Sequence, residues 1–408
     1  MIARAPYLFL LLIILPDLYL DLHYWRHKFS AGQRFVRWLP TIGMVAYTIY
    51  LTYEKNFIPD NPNILYIYLL LLGLIAIPKM VFMLCSVTGL TFSRLLHRKS
   101  SKHPAKSSAQ QDAFVRKNYG NLIGLACVPV IWYVILYGSF IGFNKVEVNR
   151  QTFASPDLPK AFDGYKVVLF SDAHVGSYTA RNELVLKKAI DSINAQRPDM
   201  IVYVGDIQNT QPQDIYRHMD VLSSLKAKDG IYSVLGNHDY GDYICGNTAK
   251  KVANMRETMS LEKQMGWTLL MNEHRYIDRG KSHIIIAGME NDGDGIHFPQ
   301  NGDIKKTLKG IDDDDFVLML EHDPSSWRRK IIPDGRAQLT LSGHTHKVQF
   351  ALFDWCPLSL TGKEVNGWYT ENEQSLFVSA GLGGLIPFRF GAPGEIVVIT
   401  LKTQSAKD

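Results

Sequence analysis

The chain has 408 residues, four cysteines and a formal charge of +5, with 46% hydrophobic and 20% charged residues. That length exceeds one ordinary domain and predicts two folded units. So slight a basic excess gives no ground for a nucleic-acid binder, and without a CxxC spacing the cysteines give none for a thiolate metal or dithiol redox site.

The first 143 residues are dominated by apolar runs, of which four are candidate membrane spans: Tyr7–Leu20, Trp38–Tyr53, Ile64–Val87 and Leu122–Phe143. The third and fourth reach the ~20 apolar residues a bilayer requires. The second is short, and the first is interrupted by Pro16-Asp17. A cleaved signal peptide fits the first run poorly, because only Arg4 precedes it and no small-x-small site follows. Cys85 and Cys127 lie inside these runs as small packing residues, while Cys245 and Cys356 could pair or stay free.

Arg26, Lys28, Arg34 and Arg37 follow the first run. Arg94, Arg98, Lys99, Lys102, Lys106, Arg116 and Lys117 follow the third, against the single acid Asp112. Positive-inside bias assigns both segments to the cytoplasm. The expectation is a multi-pass anchor over residues 1–150 in the cell (inner) membrane, with residues 151–408 on the extracytoplasmic face. The stretch from Arg98 to Gln111 has no periodicity and reads as a polar connector. Asp17 and Lys79 sit within the apolar runs; they either pair at depth or, the reading preferred on sequence, lie near helix ends with Lys79 snorkelling after Pro78.

Beyond Phe143 the pattern becomes that of a soluble α/β domain. Lys166–Phe170, Met200–Val204, Ile231–Leu235, His283–Ala287, Phe316–Leu320, Gln338–Leu341, Ser375–Ser379 and Glu395–Leu401 read as buried strands. Helical patterns cover Arg181–Gln196 and Asp214–Lys226. Alternation predicts a parallel or mixed sheet covered by helices. The later strands, with fewer helices between them, predict a second and more antiparallel sheet.

Five of these strands end in polar motifs: Ser171-Asp172-Ala173-His174, Gly205-Asp206, Gly236-Asn237-His238-Asp239, Glu321-His322-Asp323-Pro324 and Ser342-Gly343-His344-Thr345-His346. Ligands of open α/β sheets bind at the carboxyl ends of strands. Three of the motifs carry a Gly that permits a sharp turn. Each motif alone is common in turns and caps, with Gly-His-Thr-His the most specific of them. All five in order, each after a strand, leave a purely structural explanation little room. Carboxylate, amide oxygen and imidazole suit borderline divalent ions such as Mn, Zn or Fe. Two such ions ~3.5–4 Å apart need a bridging acid, and Asp206 is the isolated one.

On these motifs the stretch from Gly164 to Leu401 resembles the calcineurin-like metallophosphoesterases, in particular membrane-anchored bacterial members. The resemblance implies a four-layer α/β/β/α sandwich, here preceded by a multi-pass helical membrane anchor, and two divalent metal ions. It implies that Asp172, His174 and His346 bind one ion, that Asn237, His322 and His344 bind the other, and that Asp206 bridges them. It also implies that His238 is the catalytic histidine, oriented by Asp239. Ala173 and Lys347 depart from the family pattern, the latter where Gly is usual.

The expected activity is hydrolysis of a phosphomonoester, phosphodiester or pyrophosphate bond. Basic residues near the motifs are Lys347, Arg328, Arg329 and Arg389, each read first as a surface charge. The apolar segment Phe350–Leu360, with Trp355, is expected to bury against the second sheet. If it faces lipid instead, a phospholipid or lipid-linked pyrophosphate becomes the substrate class, with membrane lipid as a partner. Gly381-Leu382-Gly383-Gly384 and Asp312–Asp315 read as turns, and Asn291–Gly295 lacks the final Glu of a calcium loop. His218, His274, His283 and His297 are expected to lack ordered partners. The alternatives are a membrane-bound sensor or binding module with a non-catalytic metal site, and metal-dependent hydrolysis of a non-phosphorus bond. Loss of a ligand or of His238 would favour the sensor, and none is lost.

Overall fold

A computed structural model of the protein describes residues 5–53, 59, 61–100, 118–244, 246–296 and 298–404. The chain divides into two compact units, Met1–Tyr137 and Gly138–Asp408.

In the first unit, α1 (Ala5–Leu20) continues as a π-turn through Asp21–Trp25, followed by α2 (Ala31–Tyr53). The segments α3 (Pro62–Leu71) and α4 (Ile77–Ser100) are joined by a π-turn at Leu72–Ala76. A further helix runs Tyr119–Phe140. Among the described residues three stretches are long and apolar enough to cross a membrane: Pro6–Trp25, Pro62–Ser93 and Tyr119–Asn144. The Trp38–Tyr53 run is helical but is not among them, since α2 carries Gln33, Arg34, Arg37 and several Gly and Thr residues. Pro16-Asp17 does not interrupt the first run; α1 passes through both.

Proline in α4 has a visible consequence. Pro78 has no N–H to give the carbonyl four residues back, that of Leu74. The chain widens into the π-turn just before it, and the indole Nε1 of Trp132 donates to Leu74 O at 2.9 Å. Neighbouring helices commonly re-satisfy such a freed carbonyl in apolar surroundings. The snorkelling expected of Lys79 is not found. Its Nζ lies 2.7 Å from Oδ2 of Asp17, whose side chain is fully buried and also bonded by Thr41. Pairing at depth wins because an isolated charge there is costly. Residues 101–117, with most of the basic connector, lie outside the described residues, as do Cys245 and hence its pairing with Cys356, and His297.

Among its described residues the second unit holds twelve strands: β1 (Val146–Ser155), β2 (Lys166–Phe170), β3 (Met200–Val204), β4 (Ile231–Val234), β5 (Thr268–Leu269), β6 (Glu273–Arg279), β7 (Ser282–Gly288), β8 (Val317–Leu320), β9 (Leu339–Ser342), β10 (Gly367–Glu371), β11 (Gln374–Val378) and β12 (Gly394–Thr403). They form two six-stranded sheets, ordered β1-β12-β2-β3-β4-β5 and β10-β11-β9-β8-β7-β6. The second sheet is the more antiparallel of the two, with two antiparallel pairs against one, but they lie only at its edges, and β11, β9, β8 and β7 are mutually parallel. Short helices such as Ile304–Thr307 make the crossovers, too brief to show as helical periods in the sequence.

Alternate side chains of each strand enter different layers. Val167, Leu169, Val202 and Val204 meet Ile284, Ile286, Leu318, Leu320 and Leu341 between the sheets. The opposite set, Val168, Phe170, Ile201 and Tyr203, packs against Leu186, Ala189, Ile190 and Ile193 of the helix Glu183–Ala195. Ile285, Val317 and Met319 pack outward against Leu308, Trp327 and Ile331. The layers therefore run helix, sheet, sheet, helix. Each such buried aliphatic side chain contributes roughly 1.5–3 kcal/mol.

Several smaller expectations change. Asp214–Lys226 forms two four-residue helices, Gln213–Tyr216 and Met219–Leu222, instead of one. His218, His274 and His283 do have ordered partners: Tyr178 O at 3.1 Å, Thr307 O at 2.7 Å and Asp315 Oδ1 at 2.7 Å. Asp292 is occupied by Arg329 and Lys330, so the Asn291–Gly295 loop is tied up in ion pairs. Arg328 pairs with Glu364 and Glu371. Arg389 is no surface charge. It is fully buried, its guanidinium donating to the carbonyls of Ala380, Gly381, Gly383, Ala392 and Pro393. The Phe350–Leu360 segment is not buried against the second sheet. Only Ala351 and Cys356 are covered, while Leu352, Phe353, Trp355 and Leu360 are exposed. A tight turn, with φ of 48° at Phe353 and 66° at Asp354, is closed by a bridge between Leu352 and Trp355 and throws these side chains outward.

Candidate metal centre

The ends of β2, β3 and β4 in one sheet and of β8 and β9 in the other converge, and the nine predicted site residues lie there together. Ligand atoms of Asp172, His174, Asp206 and His346 all lie within 4.8 Å of one another, as do those of Asp206, His322 and His344. The two groups share Asp206. Its Oδ2 is 3.5 Å from His174 Nε2 and 3.4 Å from His322 Nε2, one imidazole of each group. Asn237 joins the second group, with Oδ1 2.8 Å from His344 Nδ1 and 3.1 Å from His322 Nε2. His346 Nε2 is 3.3 Å from Asp172 Oδ1.

The backbone here is strained in one consistent way. Asp172, His174, Asp206, His344 and His346 all have φ between 41° and 70°. Side chains seldom adopt this left-handed region, and each instance costs on the order of 1 kcal/mol. The flanking glycines act differently than a sharp turn would require. Gly205 has φ 93°, but at Gly236 and Gly343 the reason is space: a Cβ would strike the Asp206 carboxylate at the first and that of Asp172 at the second.

The imidazoles are held by backbone carbonyls. His174 Nδ1 pairs with Gln208 O at 3.1 Å and His322 Nδ1 with Val204 O at 2.7 Å, which directs Nε2 of each inward. His344 presents Nδ1 instead, with its Nε2 3.6 Å from Asp323 Oδ2. Burial, together with the neighbouring His238, drives His174 down to about 3, and burial holds His346 well below its ordinary range. Burial opposes ionisation of Asp206, yet His322, His238 and His174 outweigh it and keep the carboxyl well below the usual range.

This donor set fits divalent cations. His174 Nε2 and His346 Nε2 are 3.3 Å apart, as are His322 Nε2 and His344 Nδ1. Ring nitrogens that close need a proton or a cation between them, and burial disfavours the proton on His174 and His346. Two carboxylates, one amide oxygen and four imidazoles match borderline metals.

Asp239 departs from the orienting role that the resemblance implies. The Asp239 carboxylate is fully buried and accepts the backbone N–H groups of Asp206 at 2.8 Å, Gly236 at 2.9 Å, Ile207 at 3.1 Å and Gln208 at 3.3 Å. The His238 ring is set by the carbonyl of Asn209, 2.6 Å from Nδ1. Asp239 therefore shapes the loops, and it is the Asn209 carbonyl that meets the imidazole. The partners missed on sequence, the carbonyls of Val204, Gln208 and Asn209, have no sequence signal, because every residue type carries a carbonyl.

Sequence comparison addresses both units. Residues 165–348 match the family described as "Calcineurin-like phosphoesterase", and residues 2–143 match one described as "Probable Calcineurin-like phosphoesterase, transmembrane domain". The uncharacterised metallophosphoesterase YkuE of Bacillus subtilis strain 168 is 33% identical over 278 residues, 66% of this chain and 90% of YkuE. The chain belongs to the calcineurin-like phosphoesterase family. A Danio rerio relative described as a transmembrane protein with metallophosphoesterase domain is 29% identical over 65% of this chain, and the chain spans 60% of its length. The UDP-2,3-diacylglucosamine pyrophosphatase LpxG of Chlamydia muridarum is 23% identical over 68% of this chain and 95% of LpxG. This calcineurin-like phosphoesterase is thus a membrane protein with mixed α/β sheets and a candidate metal-ligand cluster.

Proposed function

We propose that this protein is a membrane-anchored hydrolase of phosphoester or pyrophosphate bonds that works with two divalent cations, drawn from Mn, Zn and Fe. The observation that carries the reading is the pair of ligand groups sharing Asp206. Asp172, His174 and His346 hold one cation, Asn237, His322 and His344 the other, and Asp206 both. Cations held there supply Lewis acidity toward phosphoryl oxygens and make water nucleophilic near neutral pH.

The residues of the chain do the rest. The Asn209 carbonyl takes the Nδ1–H of His238, leaving Nε2 to donate a proton to the departing oxygen. Asp239 keeps the β3 and β4 loops in register, so that the N–H of His238 bonds Asp206 Oδ1 at 2.8 Å. Residues 1–150 act as the anchor and residues 151–408 as the catalytic domain, on the extracytoplasmic face as the basic segments favour.

The substrate is lipid-linked in this reading. The name of the LpxG relative and the exposed apolar turn of Leu352, Phe353 and Trp355, six to nine residues after His346, support it. The test uses the detergent-solubilised chain: metal content by mass spectrometry, turnover of bis-p-nitrophenyl phosphate, then soluble diesters against a lipid-linked pyrophosphate. Neither metal nor turnover would leave the sensor reading standing, and turnover of soluble diesters alone would remove the lipid.

A further inference from the structure

Tyr243 lies five residues beyond His238, outside every motif singled out in the sequence. The chain reaches it by a short helical turn, Asn237–Tyr240, that ends at Gly241 with φ 75°. This reversal brings the phenol back onto the site. Its hydroxyl oxygen accepts Nδ2 of Asn237 at 2.7 Å. Its ring stacks on the imidazole of His238, with centroids 4.2 Å apart and planes 19° from parallel.

Each contact addresses a degree of freedom of a site side chain. The terminal torsion of an Asn side chain is broad, so the amide plane turns easily. A cation ligand must present oxygen, and here Oδ1 faces His344 and His322 while Nδ2 faces away. The Asn209 carbonyl fixes one point on the His238 ring, which still leaves rotation about that hydrogen bond. A flat aromatic face removes it. His174 meets the same imidazole edge-on, at 4.8 Å and 88°.

We propose that Tyr243 is a positioning residue for both halves of the site: its hydroxyl oxygen turns the Asn237 amide oxygen toward the second cation, and its ring sets the plane of His238. This rests on the dimetal reading above. The two roles separate chemically, because Tyr243→Phe removes the hydroxyl and keeps the ring, whereas Tyr243→Ala removes both.

The experiment compares the full-length wild type with Tyr243→Phe and Tyr243→Ala in detergent, titrating apoprotein with Mn²⁺ and measuring kcat and KM for bis-p-nitrophenyl phosphate at saturating Mn²⁺. Tyr243→Phe should weaken the second equivalent of Mn²⁺ about tenfold, as loss of a partner behind a ligand does, and leave the first unchanged. Tyr243→Ala should match that loss and also lower kcat at saturating Mn²⁺ about tenfold below that of Tyr243→Phe, with KM equal in the two. If the wild type binds no Mn²⁺, the dimetal reading fails. If it binds two and Tyr243→Phe binds both as tightly, the proposal fails. A kcat for Tyr243→Ala equal to that of Tyr243→Phe at saturating Mn²⁺ overturns the stacking role. Should the Ala variant not fold, Tyr243→Phe still decides the metal role, and Tyr243→Leu, which fills the space without a flat face, decides the other.

Discussion

The carboxylate of Asp239 accepts the backbone N–H of Asp206 at 2.8 Å, joining the turn after β4 to the turn after β3. Three further amides end on the same carboxylate. Burial and the nearby Asp206 push its carboxyl up to about 7. Asp239→Asn puts an NH₂ group against backbone donors. It should cost ~3 kcal/mol of stability and reduce metal content, because Asp206 then loses its placement. Urea denaturation and metal analysis of the variant check this. A pure change in pH profile with full metal content and stability would instead favour direct orientation of His238.

His238 and Asp206 should separate under mutation. His238→Ala should lower turnover of bis-p-nitrophenyl phosphate by about 10²–10⁴ while both metals remain bound. Asp206→Asn should lose turnover and metal together, since its carboxylate belongs to both groups. Wild-type turnover in His238→Ala would remove that residue from the mechanism.

Arg389 should matter for the site at a distance. Its guanidinium holds the carbonyls of Gly381 and Gly383, and that loop donates Gly383 N to Asp172 O at 2.9 Å and Leu382 N to Ser171 O at 2.8 Å. Burial lowers the guanidinium to about 10, so it stays charged at neutral pH. Arg389→Met should destabilise by ~4 kcal/mol, leaving several buried carbonyls unpaired. Arg389→Lys should recover only part, having three donors on a single atom. Thermal unfolding of the two variants provides the comparison.

Glu262 offers a pH test away from the metal ligands. Burial raises its carboxyl to about 8 from an ordinary 4.5, with Asp239 adding to the effect. The folded state therefore binds a proton that the unfolded state has released. Stability should fall as pH rises from about 4.5 to 8, by on the order of 1 kcal/mol per pH unit, then level off. Glu262→Gln, which imitates the protonated acid and keeps an oxygen for Ser233, should remove the share of this slope that belongs to Glu262 and leave that of Asp239, which ends near pH 7. Equal slopes in the two proteins by urea titration would place the titrating group elsewhere.

The exposed turn provides the test of substrate class. Phe353→Ser combined with Trp355→Ser should leave bis-p-nitrophenyl phosphate turnover unchanged and raise KM for a lipid-linked pyrophosphate about tenfold or more, given ~1.5–3 kcal/mol per buried aromatic. A KM for the lipid-linked compound that does not move would detach this turn from substrate binding.

Much of this was readable in the sequence because the signals are local. β2 and β3 span the residues their β-branched runs predict, and the candidate site residues follow strands whose ends converge from the two sheets. What escaped was non-local or lacked a side-chain signature. β1 alternates with polar residues at a sheet edge, and β5 is two residues long. Arg389 reads as a surface charge until the carbonyls of its own loop close around it, and a carbonyl has no side-chain signature. Asp17 and Lys79 are 62 residues apart, and only the packing of α1 against α4 brings them to 2.7 Å.

By itself the sequence determined the donor inventory, its order along the chain and its position after strands, since side-chain chemistry and strand periodicity are properties of short segments. The tertiary structure alone decided that Asn209 rather than Asp239 meets His238, and that Tyr243 lies against both Asn237 and His238. Those outcomes depend on backbone carbonyls and on left-handed turns bringing separate loops together, and neither leaves a mark in residue type.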